Sequence, residues 1–432
     1  MSLVFAATVF AQSTLQLSLG RAVEIAVSPE GSTKIALAEE SIVRATTQSA
    51  QAKSALLPTV DGYFQYRSQT INLRTFGFGF NFPGFEFPSL VGPFSVIDAR
   101  GTAKWTVLDF SNLRRYDAAK AGVDASRADL NVTRTQVSDQ VSRAYLSTLR
   151  ADAAIEAAQA SVDLSEALRA LAQSQKDAGT GTGIEVTRAQ VQLANDRGRL
   201  IAAQSERNRA GLQLLRAMGL EMSVLVQLTD KLSYSPIPST SADTSISKAF
   251  QERTELRAQH QREQVARLNQ SSVEAERLPS VSAFGDYGTI GQPQIGLLPT
   301  HQVGVQLSVP VFDGGRRKAR RQESSSQVRS EQIRTRDLEQ QVELEVRLAL
   351  NNLRSAEIQV TTAREGLDLA QNEVDQARRR YQAGVGVPLE ITDAQARLDR
   401  ARDTNVLALY AHNLARLDLA VSTGTIQEFI QP

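Results

Sequence analysis

The sequence predicts a mainly α-helical chain that carries four amphipathic β-strands and is built as an internal tandem repeat. Three observations carry that fold class. Proline is absent between Pro93 and Pro236 and again between Pro310 and Pro388, and helix interiors exclude proline because its ring clashes with the preceding turn and it has no N–H to donate. Both gaps are rich in Ala, Gln, Arg, Glu and Leu, all good helix formers. Finally, the two halves of the chain repeat the same ordered blocks.

The repeat is read at an offset of 205. GTGTGIEVTRAQ (179–190) matches GVGVPLEITDAQ (384–395), pairing Gly179 with Gly384, Gly181 with Gly386 and Glu185 with Glu390. The same offset carries Leu193 onto Leu398, Arg197 onto Arg402 and Gly219 onto Gly424. Upstream, LLPTVDGYFQY (56–66) resembles RLPSVSAFGDY (277–287), and VLDFSNLRR (107–115) resembles VPVFDGGRR (309–317). The expected organisation is a leader remnant at 1–11, a first repeat at 12–233, a linker at 234–244, a second repeat at 245–424 and a tail at 425–432.

Each repeat then has one plan. A helix ends at Pro58 or Pro279, two strands follow, and a long helix, a glycine turn and a returning helix complete the unit. The long helices, 114–178 and 316–382, would span roughly 100 Å each. The returning helices, 185–217 and 389–422, would reach about 50 Å, and the pre-strand helices, 33–56 and 254–278, about 37 Å. A returning helix stacked on a pre-strand helix therefore nearly equals one long helix, with strands at one end and glycine turns at the other. From Val342 to Tyr381 the small or apolar residues Val342, Val346, Ala349, Leu353, Ala356, Val360, Ala363, Leu367, Ala370, Val374, Ala377 and Tyr381 alternate spacings of four and three. That is a heptad seam, the signature of a long packed helix.

The strands alternate with period two. Val303, Val305, Leu307, Val309 and Val311 interleave with Gln302, Gly304, Gln306 and Ser308, and Ala103, Trp105 and Val107 interleave with Thr102, Lys104 and Thr106. Such a sheet divides two different environments: water and a protein core, or lipid and a wet lumen. Four strands cannot close a membrane barrel, whose smallest form has about eight, so closure would need several copies.

Composition excludes much else. The 48 Lys and Arg balance 47 Asp and Glu, leaving a net charge of +1, too little for bulk attraction to nucleic acid. With no cysteine and only His260, His301 and His412, thiolate chemistry is absent and a histidine-rich metal centre is not expected. No cofactor is expected. No stretch reaches the roughly 18 to 20 apolar residues of a membrane helix. Leu3–Ala11 (LVFAATVFA) reads as the apolar end of an export signal whose basic start is missing, the alternative being an apolar N-terminal strand or helix.

The opening LSLGRAVEIAV (17–27), the LLP before the first strand, the F-D-G-G-R after the fourth and the Y-x-A-G…L-E-x-x-D-A-Q turn resemble the TolC-type outer-membrane efflux channels. The resemblance runs in order through nearly the whole chain and both repeats. It implies a homotrimer with a 12-stranded β-barrel in the outer membrane above a long α-helical barrel reaching into the periplasm. Such a protein is a non-enzymatic exit duct for an inner-membrane pump and its periplasmic adaptor. By position, Glu390 and Asp393 match the acidic pair that closes the periplasmic end, Tyr381 matches the tyrosine of the closing network, and Glu185 its acidic partner. Gly386 stands where some members carry a locking arginine, and Arg188 is the candidate to compensate. A periplasmic coiled-coil adaptor with a small β-domain is the alternative.

Other motifs have plainer readings beside them. Glu390 and Asp393 on the first turn after Pro388 also suit the helix dipole, whereas three copies around an axis would form an anionic constriction. Gly179, Gly181 and Gly183 follow a helix and lack the Lys-Ser/Thr of a phosphate loop, so they read as a tight turn. Arg316, Arg317, Lys318, Arg320 and Arg321 suit lipid headgroups or a solvated helix face. Seven of the 15 phenylalanines fall between Phe76 and Phe94, as an interfacial aromatic belt or a loop narrowing the outer mouth.

Overall fold

The computed structural model describes residues 14–29, 31–77, 84, 88–236, 241–383 and 385–431. The expected leader, Gly384 and most of the phenylalanine-rich stretch lie outside the described residues. In chain order the elements are β1 (Thr14–Leu17), α1 (Leu19–Val27), α2 (Thr33–Ser54), β2 (Thr59–Asn72), a 3-10 turn (Leu73–Phe76), β3 (Leu90–Leu108), α3 (Phe110–Asp177) and α4 (Gly183–Met218). They continue with β4 (Leu225–Leu228), α5 (Ala242–Glu252), α6 (Thr254–Ala275), β5 (Ser280–Gln292), β6 (Gly296–Ser308), α7 (Arg316–Gln382), α8 (Pro388–Ser422) and α9 (Ile426–Ile430). The duplication is visible as α2–β2–β3–α3–α4 recurring as α6–β5–β6–α7–α8.

The chain forms two compact units. One comprises Ile42–Ser126 and Gln259–Arg334 and holds a four-stranded antiparallel sheet of order β2-β3-β5-β6. Its register sorts the side chains onto two faces. Ala103 opposes Val60 and Gly285, and Trp105 opposes Ala283. Val281, Ala283 and Gly285 in turn oppose Leu307, Val305 and Val303. One face is thus apolar from strand to strand, and its large side chains stand exposed, Val303 at 83% and Val305 at 73%. On the other face Arg100 binds Asp98 at 2.7 Å and Asp286 at 3.0 Å.

An exposed apolar face opposite a charged one inverts the water-soluble pattern and fits lipid outside with a wet interior. Strands of 13 and 14 residues exceed the roughly 9 to 11 needed to cross a bilayer. Strand β6 ends at Ser308 rather than continuing to residue 311. Pro310 has no N–H for the ladder, so Val309 and Val311 fall outside the strand although their spacing continues it. The long helix that follows each hairpin starts on an aspartate: Asp109 Oδ1 accepts the N–H groups of Ser111 and Asn112 at 2.9 and 3.2 Å, and Asp313 accepts those of Gly315 and Arg317 at 3.2 and 3.0 Å. These acceptors satisfy donors that the first helical turn leaves without partners.

The other unit comprises Met1–Ser41, Arg127–Ala258 and Thr335–Pro432. Here the seam of α7 is buried at every position from Val342 to Tyr381 except Leu367, which is partly buried. Val342 and Val346 pack on Ile246, Ala249 and Leu256, whereas Ala370, Val374, Ala377 and Tyr381 pack on Ile391, Ala394 and Leu398 of α8 and Leu168 of α3. Period 3.5 therefore works as a packing code along the helix. A short parallel ladder of β1 and β4 was not foreshadowed; four residues are too few for a periodicity to show. It is pinned by the buried Tyr145, whose hydroxyl lies 2.6 Å from Asp230 Oδ2 and 3.1 Å from the Leu17 carbonyl. Burial first, and then Asp230, raise the ionisation of that phenol well above the ordinary tyrosine range.

Trp105, the only tryptophan, lies on the apolar face of β3 and donates its indole N–H to the Leu56 carbonyl at 3.1 Å. In vesicles its fluorescence should be quenched by brominated phospholipids and little affected by aqueous iodide. Efficient iodide quenching with no bromolipid effect would place that face in water.

Candidate functional site

The two interhelical turns close with the same pair of backbone bonds. After α3 the N–H groups of Thr180 and Gly181 both bond the Gln175 carbonyl at 3.0 Å, and after α7 those of Val385 and Gly386 bond the Arg380 carbonyl at 3.1 and 3.0 Å. Gly179 sits at φ +76°, where a side chain is strained. A Cβ on Gly386 would stand 2.9 Å from Tyr381 N and 3.0 Å from Arg380 C, and one on Gly181 would stand 3.0 Å from Lys176 N. The chain folds back so closely on its own helix end that an arginine does not fit at 386 in this turn.

The side chains on these turns differ between repeats. Glu185 Oε2 accepts the Thr182 N–H at 3.3 Å, capping α4, and also the Tyr381 hydroxyl at 3.2 Å, tying α4 to α7. Burial, then the Glu185 charge and this bond, push the Tyr381 hydroxyl up to about 12. A raised folded-state value means the contact is fully formed below the ordinary tyrosine value of about 10 and is lost as pH rises through about 12. Glu390 is held differently, by Arg380 Nε at 3.2 Å. Arg380 was not foreseen from sequence; its place at the last turn of α7, ten residues before Glu390, was the available sign. Asp393 and Arg188 are exposed and form no ion pair among the described residues. Arg188 instead lines a cavity of about 40 Å³ with Ser165, Glu185, Gln192, Tyr381 and Gln395.

Away from the turns, a buried polar network joins α3, α4 and α8. Arg199 Nη2 bonds Asp196 and reaches Asp399 Oδ2 at 2.6 Å. Ser165 donates to Asp196, Gln395 Nε2 reaches Ser165 Oγ at 3.2 Å, and Ser161 donates to Asp399 Oδ1 at 2.6 Å. Asp196 is 1% exposed, so its charge relies on these partners. Burial pushes the neighbouring Asp403 carboxyl above its ordinary range; Arg199 opposes that rise and Asp399 adds to it. Among the described residues no cluster of His, Cys, Asp and Glu is arranged to hold a metal ion.

Seen whole, the chain presents a lipid-compatible sheet, long paired helices and duplicated acidic turns. A family model described as "Outer membrane efflux protein" matches residues 30–220 and again 245–425. The chain belongs to the outer membrane efflux protein family. It is 25% identical over 331 residues to the alkaline protease secretion protein AprF of Pseudomonas aeruginosa, covering 74% of this chain and 68% of that one. It is likewise 25% identical over 302 residues to the outer membrane protein TolC of Vibrio cholerae, covering 67% and 68%. The fold is that of the CmeC outer membrane channel of Campylobacter jejuni, with a TM-score of 0.76 at 16% identity over 96% of this chain and 89% of the other. Family members are channels rather than enzymes. This efflux protein is accordingly an outer-membrane exit duct for efflux or secretion, seated in the outer membrane and reaching into the periplasm.

The network makes a specific demand on stability. Arg199→Met would leave Asp196 and Asp399 without their cation and should cost on the order of 2 kcal/mol, less than a fully buried pair because the Arg199 side chain is half-exposed. Adding Asp196→Leu and Asp399→Leu should restore most of that loss. Thermal unfolding of the three proteins in detergent checks it; an Arg199→Met variant as stable as the parent would mean the carboxylates are satisfied without it.

Proposed function

We propose that this efflux protein works as a passive homotrimeric duct, without catalysis of its own, whose three copies complete a 12-stranded barrel in outer-membrane lipid. The observation that carries the reading is the four-stranded sheet: its apolar face is exposed and β2 and β6 each keep one unpaired edge. Backbone groups in hydrocarbon must find partners, and pairing each β6 with the β2 of a neighbouring copy supplies them. Exposed apolar side chains on the helices, Leu344, Ile358 and Leu369 on α7 with Val191 and Ile201 on α4, support lateral packing of helices from adjacent copies in the same assembly. The two repeats, 12–233 and 245–424, joined at 234–244, would each contribute two strands and one set of helices.

The duct would receive its cargo from an inner-membrane transporter through a periplasmic adaptor; relatives named for secretion and for efflux support an export role. Its periplasmic end would be the pair of turns. Three copies of Glu390 and Asp393 would line an anionic constriction that admits cations and repels anions. The Tyr381–Glu185 bond would hold α7 and α4 in the closed arrangement, with Arg380 on Glu390 taking the restraining part that Gly386 cannot. A hydrogen bond to an ionised acceptor is stronger than a neutral pair, so its loss should be felt.

Planar-bilayer recordings test the two parts separately. Glu390→Ala with Asp393→Ala should abolish cation preference and block by divalent ions while leaving the assembly intact. Tyr381→Phe with Glu185→Gln should raise conductance and leave selectivity in place. Retained selectivity and block in the acidic double variant would place the constriction elsewhere.

A further inference from the structure

Arg416 on α8 is an arginine without a counter-charge. It forms no ion pair among the described residues, its Nε is buried with no acceptor, and its one hydrogen bond runs from Nη1 to Asn413 Oδ1 at 3.5 Å. The nearby carboxylates are engaged elsewhere: Asp418 by Arg143 at 2.6 Å and Glu428 by Lys248 at 3.1 Å. One turn back, His412 is 0% exposed, stacks tilted on Tyr234 at 4.7 Å, and has no partner for either ring nitrogen. Burial lowers the pKa of Arg416, and burial with the Arg416 charge pushes that of His412 down to about 4. Both shifts have desolvation as their first cause, and the Arg416 charge beside His412 leaves a positive potential that no ion pair among the described residues balances.

That potential opens onto a space. A cavity of about 270 Å³ lies among α5, the end of α8 and α9, lined by Arg416, Lys248, Thr244, Thr423, Thr425 and Phe429 among others. The Arg416 guanidinium lies 5.6 Å over the Phe429 ring, which fixes its plane on one side. The Thr423 hydroxyl donates to the Leu419 carbonyl at 2.8 Å and lies 2.9 Å from the Thr425 hydroxyl, whose own proton is the one left to place. With Arg416 and Lys248 against Glu428, the lining carries one net positive charge. A half-buried guanidinium with an orphaned Nε–H is disfavoured unless paired, and its planar fork matches phosphate and carboxylate oxygens.

We propose that this cavity is a binding site for a small oxyanion of the phosphate or carboxylate class, with Arg416 as its charged anchor, the Thr425 hydroxyl as a donor and Phe429 as its apolar wall. The site belongs to the unit that holds the turns but uses none of their residues, so it stands or falls independently of the gate.

The experiment is thermal unfolding of the intact protein in detergent during titration with inorganic phosphate, and separately with acetate, at ionic strength held constant with chloride. Ligand that binds only the folded state raises the melting temperature saturably. The site predicts such a rise with at least one of the two anions, their difference reporting which oxyanion it prefers. Arg416→Gln should weaken the apparent affinity at least tenfold, and without anion it should be no less stable than the parent, having lost an unpaired, half-buried charge. Arg336→Gln, at an exposed position on α7, should respond as the parent does. No saturable rise above the chloride control, or an undiminished rise in Arg416→Gln, overturns the proposal. So does an Arg416→Gln protein that loses its oligomeric state with no anion effect in the parent, since a carboxylate of another copy would then fill the cavity.

Discussion

A peptide backbone placed in hydrocarbon has no water to satisfy its polar groups, and this is the constraint on which the rest of the molecule depends. Four strands per chain make a sheet whose apolar face is fit for lipid and whose β2 and β6 edges are open. Closure would remove the edges, and a sheet closed from several copies would set how the helices attached to it are arranged. Each strand pair is preceded by a 22-residue helix and followed by one long helix, and the symmetry of a closed barrel would be passed on through the aspartate-capped starts of α3 and α7.

Much of this could be read in the sequence because the relevant signals are long. The 68-residue α3 and 67-residue α7 announce themselves by proline-free stretches and, in α7, by a seam that burial confirms at residue resolution. What escaped was short or asymmetric. Strands β1 and β4 span four residues each and are defined by pairing with each other across the chain, which no local pattern records. The Arg199 network escaped because the repeat hides it: at offset 205 Asp196 falls on Ala401, Asp399 on Ala194 and Arg199 on Thr404. A sign was nonetheless present. Val186, Ala189, Leu193 and Asp196 continue the spacing of three and four, so an aspartate stands on a seam where an apolar residue is the rule.

The turns show how duplication can keep a backbone while changing its chemistry. The close approach at Gly181 and Gly386 and the bonds to the 175 and 380 carbonyls recur in both, and the acidic residue keeps its place on the first helical turn. Its partners have diverged. Glu185 serves its own helix cap and the tyrosine of the other repeat, whereas Glu390 is drawn to the arginine at the end of α7. One carboxylate, Glu185, thus caps its own helix and also reaches the tyrosine of the other repeat.

The central claim is that a single chain is incomplete and that three copies make the duct. Native mass spectrometry of the protein extracted from membranes in a mild detergent measures this directly. The account predicts a species near three times 47.1 kDa, less any leader removed on export, that persists at low protein concentration. A stable monomer with bilayer conductance, or a folded monomer that stays in solution without detergent, would contradict it.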